Sequence, residues 1–600
     1  MDDIQPAHIY KQIVAIIRLA RRAYRPYRSE IFLLTALGFA GGILGGIGIN
    51  AAIPLLTFML GIQSPATDTF SRMIQNVFAF LHIPFVPKFL LSFIVIAFIG
   101  KTVVQLLLTY VQIRITTKYE RDTRSKLFSK VLRSSWPYLL RQKLGNLETL
   151  LMVDTTASVS LFVKISFLIT ILTSLLMYLV VAFSISALIT TCTFVLGVLV
   201  FVLLRPFLNR VHALSRERTV VYRDILHLVS EHIGGIKTVK ALAVEGHAIE
   251  RGERLFRDTR TFSQRIQIFQ QIAIQAVTPI GIIYIAGILA LAFKTPFISL
   301  AALPAILYLI YQIFMYIQQV QNTLQYMSEL APHLERVVSF EENFGEQREV
   351  SSGSLPFTFE RELVLNNVSF SYENGRDILH GVSFTVPKGQ MVGIVGPSGA
   401  GKTTCVDLML RLLGPTGGAI SLDGVAAHDI DLAQWRRRIA YVSQDLFVMH
   451  DTIRNNIRFY DDSISDEEIW QAARQAHIDG FIRECPEGLD TFIGDRGVSV
   501  SAGEKQRIVI ARSLARKPEL LILDEATSAL DNEAEVHIKR VIQELKGRVT
   551  IVAIAHRLST IIDSDHLIVL QDGRVVEEGS PKKLLGDTGS YFYKVYSINA

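Results

Sequence analysis

The sequence predicts a membrane all-α domain of six spanning helices, followed in the same chain by an α/β domain. Three observations predict this fold class. Apolar stretches long enough to cross a bilayer concentrate before about residue 320, Lys and Arg cluster in alternate loops between them, and the last 250 residues read as an ordinary α/β domain with a glycine-rich loop. Hydrophobic residues make up 50% of the 600 residues and the mean hydropathy is positive, which is unusual for a soluble protein.

Six apolar stretches have the length of a spanning helix, which needs ~20 residues. They cover residues 31–61, 89–113, 159–183, 185–206, 270–293 and 297–320. The two long loops that follow the second and fourth stretches keep the helical pattern of their flanks. The spans are therefore expected to continue as helices well beyond the membrane.

The distribution of Lys and Arg predicts the orientation of these spans. Loop 114–158 carries nine of these residues and loop 205–269 carries twelve, whereas the loops on the other side carry few. Because cytoplasmic loops are enriched in Lys and Arg, both basic loops and both termini are expected in the cytoplasm. The same loops account for the net charge of +6, so that charge does not indicate a nucleic acid partner.

Composition divides the chain into four parts. Residues 1–28 form a basic amphipathic segment that is expected to lie on the membrane surface as an elbow helix, with packing against its own domain as the alternative. Residues 29–340 form the transmembrane domain, the polar residues 341–355 form a linker, and residues 356–600 form the α/β domain.

The first span is rich in glycine. Its glycines are Gly38, Gly41, Gly42, Gly45, Gly46 and Gly48. Small residues four apart let helices approach closely, so these glycines are expected at helix contacts. A flexible gate is the alternative.

The segment from Gly396 to Thr403 reads GPSGAGKT and matches the phosphate-binding pattern G-x-x-x-x-G-K-[ST]. It follows an apolar strand, residues 391–395, and precedes a helical pattern, so backbone N–H groups and a helix N-terminus face the phosphates. Lys402 is expected to reach the β- and γ-phosphates, and the Thr403 hydroxyl is expected to hold Mg²⁺. The pattern predicts a P-loop NTPase domain that uses ATP and Mg²⁺.

Two carboxylates follow a second apolar strand, residues 520–523. Asp524 is placed to organise Mg²⁺, and Glu525 is placed to orient the attacking water. A lone Asp-Glu pair after an apolar run is commonly a helix cap. Together with the glycine-rich loop, however, the pair supplies what phosphoryl transfer needs: a cradle, a metal and a positioned nucleophile.

The chain resembles the ATP-binding cassette (ABC) exporter family in its half-transporter form, with six spans followed by one nucleotide-binding domain. The most specific match is VSAGE at residues 500–504, which is similar to the L-S-G-G-Q signature of that family. It departs from the signature by Val for Leu, Ala for the first Gly and Glu for Gln. Ser501 and Gly503, which the resemblance implies to contact the γ-phosphate, are retained. Glu504 adds a negative charge near a phosphate site, and Lys505 is the candidate to compensate it.

Other positions match family motifs and carry implied roles. Tyr372 resembles the aromatic residue that stacks on adenine, Gln444 the residue that links Mg²⁺ and water to the membrane domain, and His556 the switch histidine at the γ-phosphate. Asp531 lies in a loop that is similar to the one crossing to the partner domain. The resemblance thus implies Glu525, His556 and Gln444 as catalytic residues, Thr403, Gln444 and Asp524 as Mg²⁺ ligands, and an ATP site made of Tyr372, Gly396, Ser398, Gly399, Gly401, Lys402, Thr403, Thr404, Ser501, Gly503 and Asp531.

The resemblance also implies a dimer. In this family the signature of one domain closes over the ATP bound by the other, and the chain carries one phosphate loop and one signature. A second copy of the chain in a two-fold homodimer is the simplest way to complete the sites. Because Glu525 and His556 are both present, each site is expected to hydrolyse ATP.

Three cytoplasmic segments resemble coupling elements of the family. Residues 145–147 with Asp154, and residues 234–240 with Glu245, are similar to the two regions where short helices dock on the nucleotide-binding domains. Residues 491–497 are similar to the exporter-specific loop that meets the cytoplasmic helices.

These features predict an ATP-driven exporter or flippase that works by alternating access, an integral protein of a bacterial inner membrane. Lys101 and Lys164 lie inside spans and suit an anionic headgroup, with pairing inside the helix bundle as the alternative. Residues 70–83 resemble the external helix of bacterial lipid-linked oligosaccharide flippases. An amphipathic lipid or lipid-linked glycan is therefore the favoured cargo, ahead of drugs or hydrophobic peptides. An ATP-gated channel or regulator on the same fold is a further alternative. Six spans in the same chain disfavour a non-transporting ATPase and an importer.

Overall fold

The structure is a computed structural model and divides into two compact units. It describes residues 18–51, 55, 58, 69–80, 82–142, 144–294, 303–349, 353–372, 375, 377–494, 500–525, 532–554 and 561–596. The first unit comprises Met1–Ser134 and Arg141–Arg348, and the second comprises Ser135–Leu140 and Glu349–Ala600. We call them the membrane unit and the C-terminal unit.

The described part of the membrane unit is helical. Its helices are α1 (Arg28–Asn50), α2 (Thr69–Phe80), α3 (Pro87–Leu132), α4 (Trp136–Arg141), which begins in the C-terminal unit, α5 (Leu144–Thr149), a π-helical turn (Leu150–Asp154), α6 (Thr155–Ile185), α7 (Ala187–Gly234), α8 (Ile236–Ala241), α9 (Glu245–Gln275), α10 (Val277–Lys294) and α11 (Leu303–Gln347). The short 3-10 turn Arg25–Tyr27 leads into α1.

Among the described residues, five helical segments are apolar and long enough to cross a membrane, and they overlap five of the six predicted spans. They are Arg25–Gly48, Pro87–Leu132, Gly145–Ile185, Ala187–Gly234 and Glu245–Ala290. The sixth predicted span, residues 297–320, begins outside the described residues, and its remainder forms the start of α11. Helix α3 has 46 residues and therefore a length of about 70 Å, against a hydrocarbon thickness of about 30 Å. The helix is therefore longer than the bilayer core is thick, and its extension into the cytoplasm stays a prediction.

The glycines of α1 lie at helix contacts, as their spacing predicts. A Cβ added to Gly38, Gly42 or Gly46 would lie 3.1–3.3 Å from a side chain of α6. Added to Gly45 or Gly48, it would lie 3.1 Å from a side chain of α3. Two glycine faces therefore bring α1 close to both neighbouring helices.

Residues 18–28, the described end of the predicted elbow, pack against the membrane unit. Tyr24 is 3% exposed, donates a hydrogen bond to the Ser158 carbonyl at 2.8 Å, and meets Phe162 edge to face. Tyr27 meets Tyr119 of α3 in the same manner. In this described part of the elbow Ala20, Tyr24 and Tyr27 are buried, and Leu19 and Ala23 are partly buried. The preceding residues 1–17 lie outside the described residues.

A buried carboxylate joins the start of α6 to α11. Asp154 lies 2.7 Å from His333 Nδ1 and 2.8 Å from an Arg336 nitrogen. A buried carboxylate needs such partners, because burial without them costs several kcal/mol. Asp154 was singled out with the first coupling region, and this contact shows that it fastens two helices of the membrane unit together.

The short helices near the predicted coupling regions are α4, α5 and α8. The predicted residues 145–147 lie in α5, whereas residues 135–140, most of α4, belong to the C-terminal unit. There the partly buried Trp136 packs against an apolar cluster of that unit. In the second region α7 ends at Gly234 and α8 follows. Residues 135–140, which group with the C-terminal unit, therefore precede Gly145, where the predicted coupling region begins.

The C-terminal unit is built on strands in three sheets. The strands are β1 (Glu362–Ser371), β2 (Asp377–Pro387), β3 (Met391–Val395), β4 (Gly417–Leu422), β5 (Val425–Ala426), β6 (Ile439–Val442), β7 (Asp451–Thr452), β8 (Phe492–Ile493), β9 (Leu520–Asp524), β10 (Thr550–Ile554), β11 (His566–Gln571) and β12 (Arg574–Gly579). The orders are β2-β1-β4-β5, β12-β11-β3-β10-β9-β6 and β7-β8.

Helices accompany these strands. They are α12 (Lys402–Met409), α13 (Leu432–Arg438), α14 (Ile453–Arg458), α15 (Asp466–Gln475), α16 (Asp479–Glu484), α17 (Ala502–Leu514), α18 (Asn532–Leu545), α19 (Pro581–Gly586) and α20 (Tyr591–Tyr596), with 3-10 turns at Ala427–Asp429 and Gly488–Asp490.

The six-stranded sheet has both faces buried. Leu521 and Leu523 of β9 point into one apolar cluster, and Leu520 and Ile522 point into another. This alternation follows from the two-residue period of a strand. Its strands β11, β3, β10, β9 and β6 are parallel, so their carboxyl ends share one edge, where ligands bind in open α/β sheets.

Candidate ATP site

The glycine-rich loop follows β3 at this carboxyl edge. At two of its glycines any other residue would clash with a neighbouring group. A Cβ on Gly396 would lie 2.1 Å from the Leu570 carbonyl oxygen. Gly401 has φ 98°, and a Cβ there would lie 2.5 Å from Leu379. Glycine alone adopts this conformation at low cost. The loop therefore passes close to its neighbours and leads directly into α12, whose first N–H groups lack helical partners.

Lys402, the first residue of α12, folds back over the loop. Its Nζ donates to the Gly396 carbonyl at 2.9 Å and to the Pro397 carbonyl at 3.0 Å. Burial lowers the pKa of Lys402, and the nearby carboxylates of Glu525 and Asp524 oppose that shift. The ammonium thus lies inside the loop, where it can exchange carbonyl partners for phosphate oxygens. Next to it, Thr403 is exposed and Thr404 is buried, while Ser398 and Gly399 form the exposed tip of the loop.

The predicted carboxylates end strand β9 beside this loop. Asp524 is 5% exposed and accepts a hydrogen bond from the Tyr441 hydroxyl at 3.3 Å. Glu525 has the left-handed φ of 49°, and its N–H donates to the Ile554 carbonyl of β10 at 2.9 Å. An uncommon backbone conformation at a non-glycine residue is typical of functional positions.

Gln444 lies two residues beyond β6 and contacts the second carboxylate. Its Nε2 donates to Glu525 Oε2 at 2.9 Å. Because β6 is the parallel neighbour of β9, the two strands deliver both side chains to the same edge. Gln444 and Glu525 are 81 residues apart in the sequence, so their spacing does not predict the contact. The contact arises because β6 lies beside β9 in the sheet.

The site carries excess negative charge that suits a divalent cation. Burial and the neighbouring Asp524 raise the pKa of Asp407 to about 6. Burial and Asp524 also raise the pKa of Tyr441. Hard oxygen ligands of this kind fit Mg²⁺, which is commonly held by one or two carboxylates together with substrate phosphates. Thr403, Gln444 and Asp524 are the residues that would hold it, and a bound cation would relieve the repulsion between the carboxylates.

Asp407 and Tyr441 are two site residues that the motifs did not reveal. Asp407 follows Thr403 by one helical turn, and Tyr441 precedes Gln444 by three residues. Residues four apart share a helix face, so the position of Asp407 beside the predicted metal ligand was legible in the sequence. The contact of Tyr441 with Asp524 depends on strand order and was not.

Tyr372 follows β1 directly and is half-buried. Its ring meets the Phe370 ring edge to face, with centroids 4.9 Å apart. The ring also packs against the apolar cluster under the sheet. An aromatic ring that is packed on one side in this way can stack a planar ligand on the part that stays accessible.

The signature residues begin helix α17. Ser501 is its N-cap, and Ser501 Oγ accepts from the Glu504 N–H at 3.3 Å. Glu504 Oε2 in turn accepts from the Ser501 N–H at 2.7 Å and from its hydroxyl at 2.8 Å, which completes a capping box. Within residues 500–514 the described partner of the Glu504 carboxylate is therefore Ser501 and not the anticipated Lys505. Gly503 is buried in the same turn.

The structure thus gathers the loop from Gly396 to Thr404 with Gln444, Asp524 and Glu525 at one sheet edge. Ser501 and Gly503 lie on α17, a separate element. Asp531, His556 and residues 495–497 lie outside the described residues. Their roles stay predictions.

Comparison with known proteins identifies the family. The family model described as ABC transporter matches residues 379–528, and the model described as ABC transporter transmembrane region matches residues 51–295. The heterocyst differentiation ATP-binding protein HepA of Nostoc sp. is 31% identical over 469 residues, which are 77% of this chain and 76% of that protein. The chain belongs to the ABC transporter family.

Three further relatives refine this assignment. The ATP-dependent lipid A-core flippase of Burkholderia pseudomallei is 36% identical over 394 residues, 64% of this chain and 65% of the relative, a little under two thirds of its length. The flippase of Paraburkholderia xenovorans is 31% identical over 84% of this chain and 85% of that protein. A bacterial Atm1-family ABC exporter with ATP bound has a TM-score of 0.77 at 25% identity and covers 96% of this chain and 98% of that structure.

The predicted family and fold class are therefore confirmed. The protein is an exporter-type half-transporter, an integral membrane protein that couples ATP hydrolysis to transport.

Proposed function

We propose that this half-transporter moves an amphipathic lipid or lipid-linked glycan out of the cytoplasm or the inner leaflet of a bacterial inner membrane. The observation that carries the proposal is the contact of Gln444 with Glu525 beside Lys402, which suits ATP hydrolysis. The same chain carries apolar helices long enough to cross a membrane. The lipid class is supported by the relatives named lipid A-core flippases.

We infer that two copies of the chain form the working transporter. Each copy supplies one phosphate loop and one signature, so Ser501 and Gly503 of one copy contact the γ-phosphate of ATP held by the other. ATP pulls the two nucleotide-binding domains together, because it binds the closed dimer better than the open one. The long helices transmit this closure, and the substrate cavity turns outward.

The predicted site residues have proposed tasks in hydrolysis. Lys402 contacts the β- and γ-phosphates, and Tyr372 stacks on adenine. Thr403, Gln444 and Asp524 would hold Mg²⁺, which would supply positive charge beside the phosphates when bound. The Glu525 carboxylate accepts a hydrogen bond from the attacking water and orients it, while Gln444 fixes the position of that carboxylate. His556 contacts the γ-phosphate, and Asp531 lies in the loop that meets the partner.

The proposed topology has both termini in the cytoplasm. It rests on the Lys and Arg of loops 114–158 and 205–269. The domain limits proposed from the sequence are the elbow 1–28, the transmembrane domain 29–340, the linker 341–355 and the nucleotide-binding domain 356–600. Helix α11 ends at Gln347, so the first half of that linker continues a membrane helix.

Glu504→Gln is expected to lower the ATP concentration for half-maximal hydrolysis about threefold. Glutamine keeps an oxygen for the Ser501 N–H but removes an anion from the N-terminus of α17, and a charge there is worth up to about 1 kcal/mol. The measurement is ATPase rate against ATP concentration. Glu468→Gln is the matched control, because Ser465 and Glu468 form a second capping box on α15. An unchanged or raised half-saturating ATP concentration for Glu504→Gln would contradict the expectation.

Transport itself is tested with purified protein in liposomes. A fluorescent polyprenyl-linked or anionic lipid is followed between leaflets, with and without ATP, and the Glu525→Gln variant is the control. We expect movement that requires both ATP and Glu525. ATP turnover without lipid movement would reject the lipid assignment and favour a drug or hydrophobic-peptide exporter. Passive flux gated by ATP would indicate a channel.

A further inference from the structure

A cavity of about 140 Å³ lies inside the membrane unit, between α1, α3, α6 and α11. Its polar lining consists of Lys101 and Gln105 on α3, Thr170, Ser174 and Tyr178 on α6, and Gln319 on α11. Phe167, Ile171 and Tyr316 also line the cavity, and Gly38, Gly41 and Gly42 of α1 leave the space open, because they carry no side chain. A polar cavity between apolar helices holds several water molecules or one small polar group.

Lys101 and Tyr178 converge at one point of α1. A Cβ on Gly45 would lie 3.1 Å from Lys101 Nζ and 3.3 Å from the Tyr178 hydroxyl oxygen. Tyr178 is 2% exposed, and its ring stacks on Tyr316 with centroids 5.3 Å apart. Glycine at position 45 therefore makes room for the ammonium and the hydroxyl together.

The protein provides no anion for Lys101 in these four helices. Asp and Glu are absent from α1 after Glu30, from α3 before Glu120, from the whole of α6, and from α11 before Glu329. The ammonium also lies over the Phe98 ring, 5.9 Å from its centroid. A cation at membrane depth is costly without a counter-ion, and that cost is reduced when an anionic ligand binds.

Lys164 lies on the same face of α6 as the cavity lining. It precedes Phe167 by three residues and Ile171 by seven, and both of these residues line the cavity. Its Nζ is 4.6 Å from the centroid of the Tyr326 ring on α11, a cation–π contact. A second cation therefore lies on the cavity-lining face of α6, about one turn before the first lining residue, Phe167.

We propose that this cavity binds the phosphate of a lipid headgroup, with Lys101 as the final contact and Lys164 as an earlier contact on the path. The proposal rests on the proposed function and narrows its substrate to amphiphiles that end in a phosphate or pyrophosphate. The ammonium supplies the charge, and the Tyr178 hydroxyl and the amides of Gln105 and Gln319 supply further donors. The volume admits one phosphate-sized group, so acyl chains and sugars lie outside the cavity.

The first test measures equilibrium binding to the full-length protein in phosphatidylcholine nanodiscs. The probes are a fluorescent phosphatidate and a phosphatidylcholine with the same label. We expect the protein to prefer phosphatidate, and Lys101→Gln to weaken phosphatidate binding about tenfold, the effect of one charge-assisted contact. Lys101→Arg should retain most of the affinity. Lys88→Gln, which removes an exposed lysine of the same helix, should leave it unchanged.

Two more variants separate the roles. Gly45→Ala keeps the charge but places a methyl group beside Lys101 Nζ and Tyr178, so it should weaken phosphatidate binding even if Lys101→Gln fails to fold. Lys164→Gln should slow phosphatidate association about threefold and leave the preference over phosphatidylcholine intact, because it acts before the final site.

Each outcome decides the proposal. Equal binding of the two lipids, or a Lys101→Gln variant that binds like Lys88→Gln, overturns it. Inorganic phosphate is added as a competitor up to millimolar concentration. If it displaces phosphatidate with the same affinity that phosphatidate itself has, the site binds free phosphate, and the assignment to a lipid headgroup is overturned. If binding follows Lys101 but the liposome assay shows no ATP-dependent movement, the site stands and the proposed transport fails. If ATP-dependent lipid movement is unchanged in Lys101→Gln, the proposed transport stands and the phosphate site fails.

Discussion

Glu525→Gln is expected to reduce ATP turnover about 100-fold or more while ATP still binds. In the proposed mechanism the carboxylate orients and polarises the attacking water, and a positioned group of this kind contributes about 10²–10⁴-fold to a rate. Glutamine has nearly the same shape, so the backbone bond from the Glu525 N–H to Ile554 and the surrounding strand are retained. The side-chain bond from Gln444 Nε2 also keeps an acceptor oxygen.

The measurement pairs steady-state phosphate release with equilibrium binding of a fluorescent ATP analogue. If hydrolysis opens the proposed dimer, the variant should also remain closed with ATP, which cross-linking between two copies would detect. Glu487→Gln is the matched control, an exposed carboxylate of the same unit. Near-normal phosphate release by Glu525→Gln would remove Glu525 from its proposed role, and loss of ATP binding would indicate a structural role instead.

The strand, loop and helix around Lys402 could be predicted from the sequence because every local signal agrees. A buried apolar strand, glycines at positions where a Cβ would collide, and a helix start follow one another within residues 391–409. The contact between Gln444 and Glu525 could not be predicted from spacing, since it depends on β6 lying beside β9. Only the family resemblance pointed to Gln444.

Glu504 illustrates a signal that was present but not used. Its negative charge near a phosphate site indicates Lys505 as a compensating cation. The pattern Ser501-x-x-Glu504 at a helix start is also a capping box, and the structure has that box. The Ser501 N–H and hydroxyl, and not Lys505, are the described hydrogen-bond donors to this carboxylate.

The surroundings of the two membrane lysines could be anticipated only in part. Their positions inside apolar spans were visible in the sequence, as was the absence of nearby acidic residues. The convergence of Lys101 with Tyr178 beside Gly45 requires three helices to pack in one register. Such a register arises from many small contacts, and the apolar period of each helix does not encode it.

Lys402→Gln is expected to weaken ATP binding about 10- to 100-fold. In the described structure the ammonium bonds the carbonyls of Gly396 and Pro397, and on binding it would exchange these for phosphate oxygens. A hydrogen bond to a charged group is worth about 1.5–3 kcal/mol, which corresponds to that range of affinity. Lys402 is 6% exposed, so the shorter, neutral glutamine also leaves the phosphates without their buried counter-charge.

Thermal unfolding with and without ATP and Mg²⁺ measures this loss directly. A ligand at 100 times its Kd stabilises a protein by about 2.7 kcal/mol, and at its Kd by less than about 0.5 kcal/mol. The wild-type protein and Lys388→Gln, which removes a lysine paired with Glu360 on the same unit, should therefore show the full ATP-dependent shift. Lys402→Gln should show little of it, whereas Glu525→Gln should keep it. A full shift in Lys402→Gln would mean that the loop binds phosphate through its backbone alone, and the ammonium would then act only in the hydrolytic step.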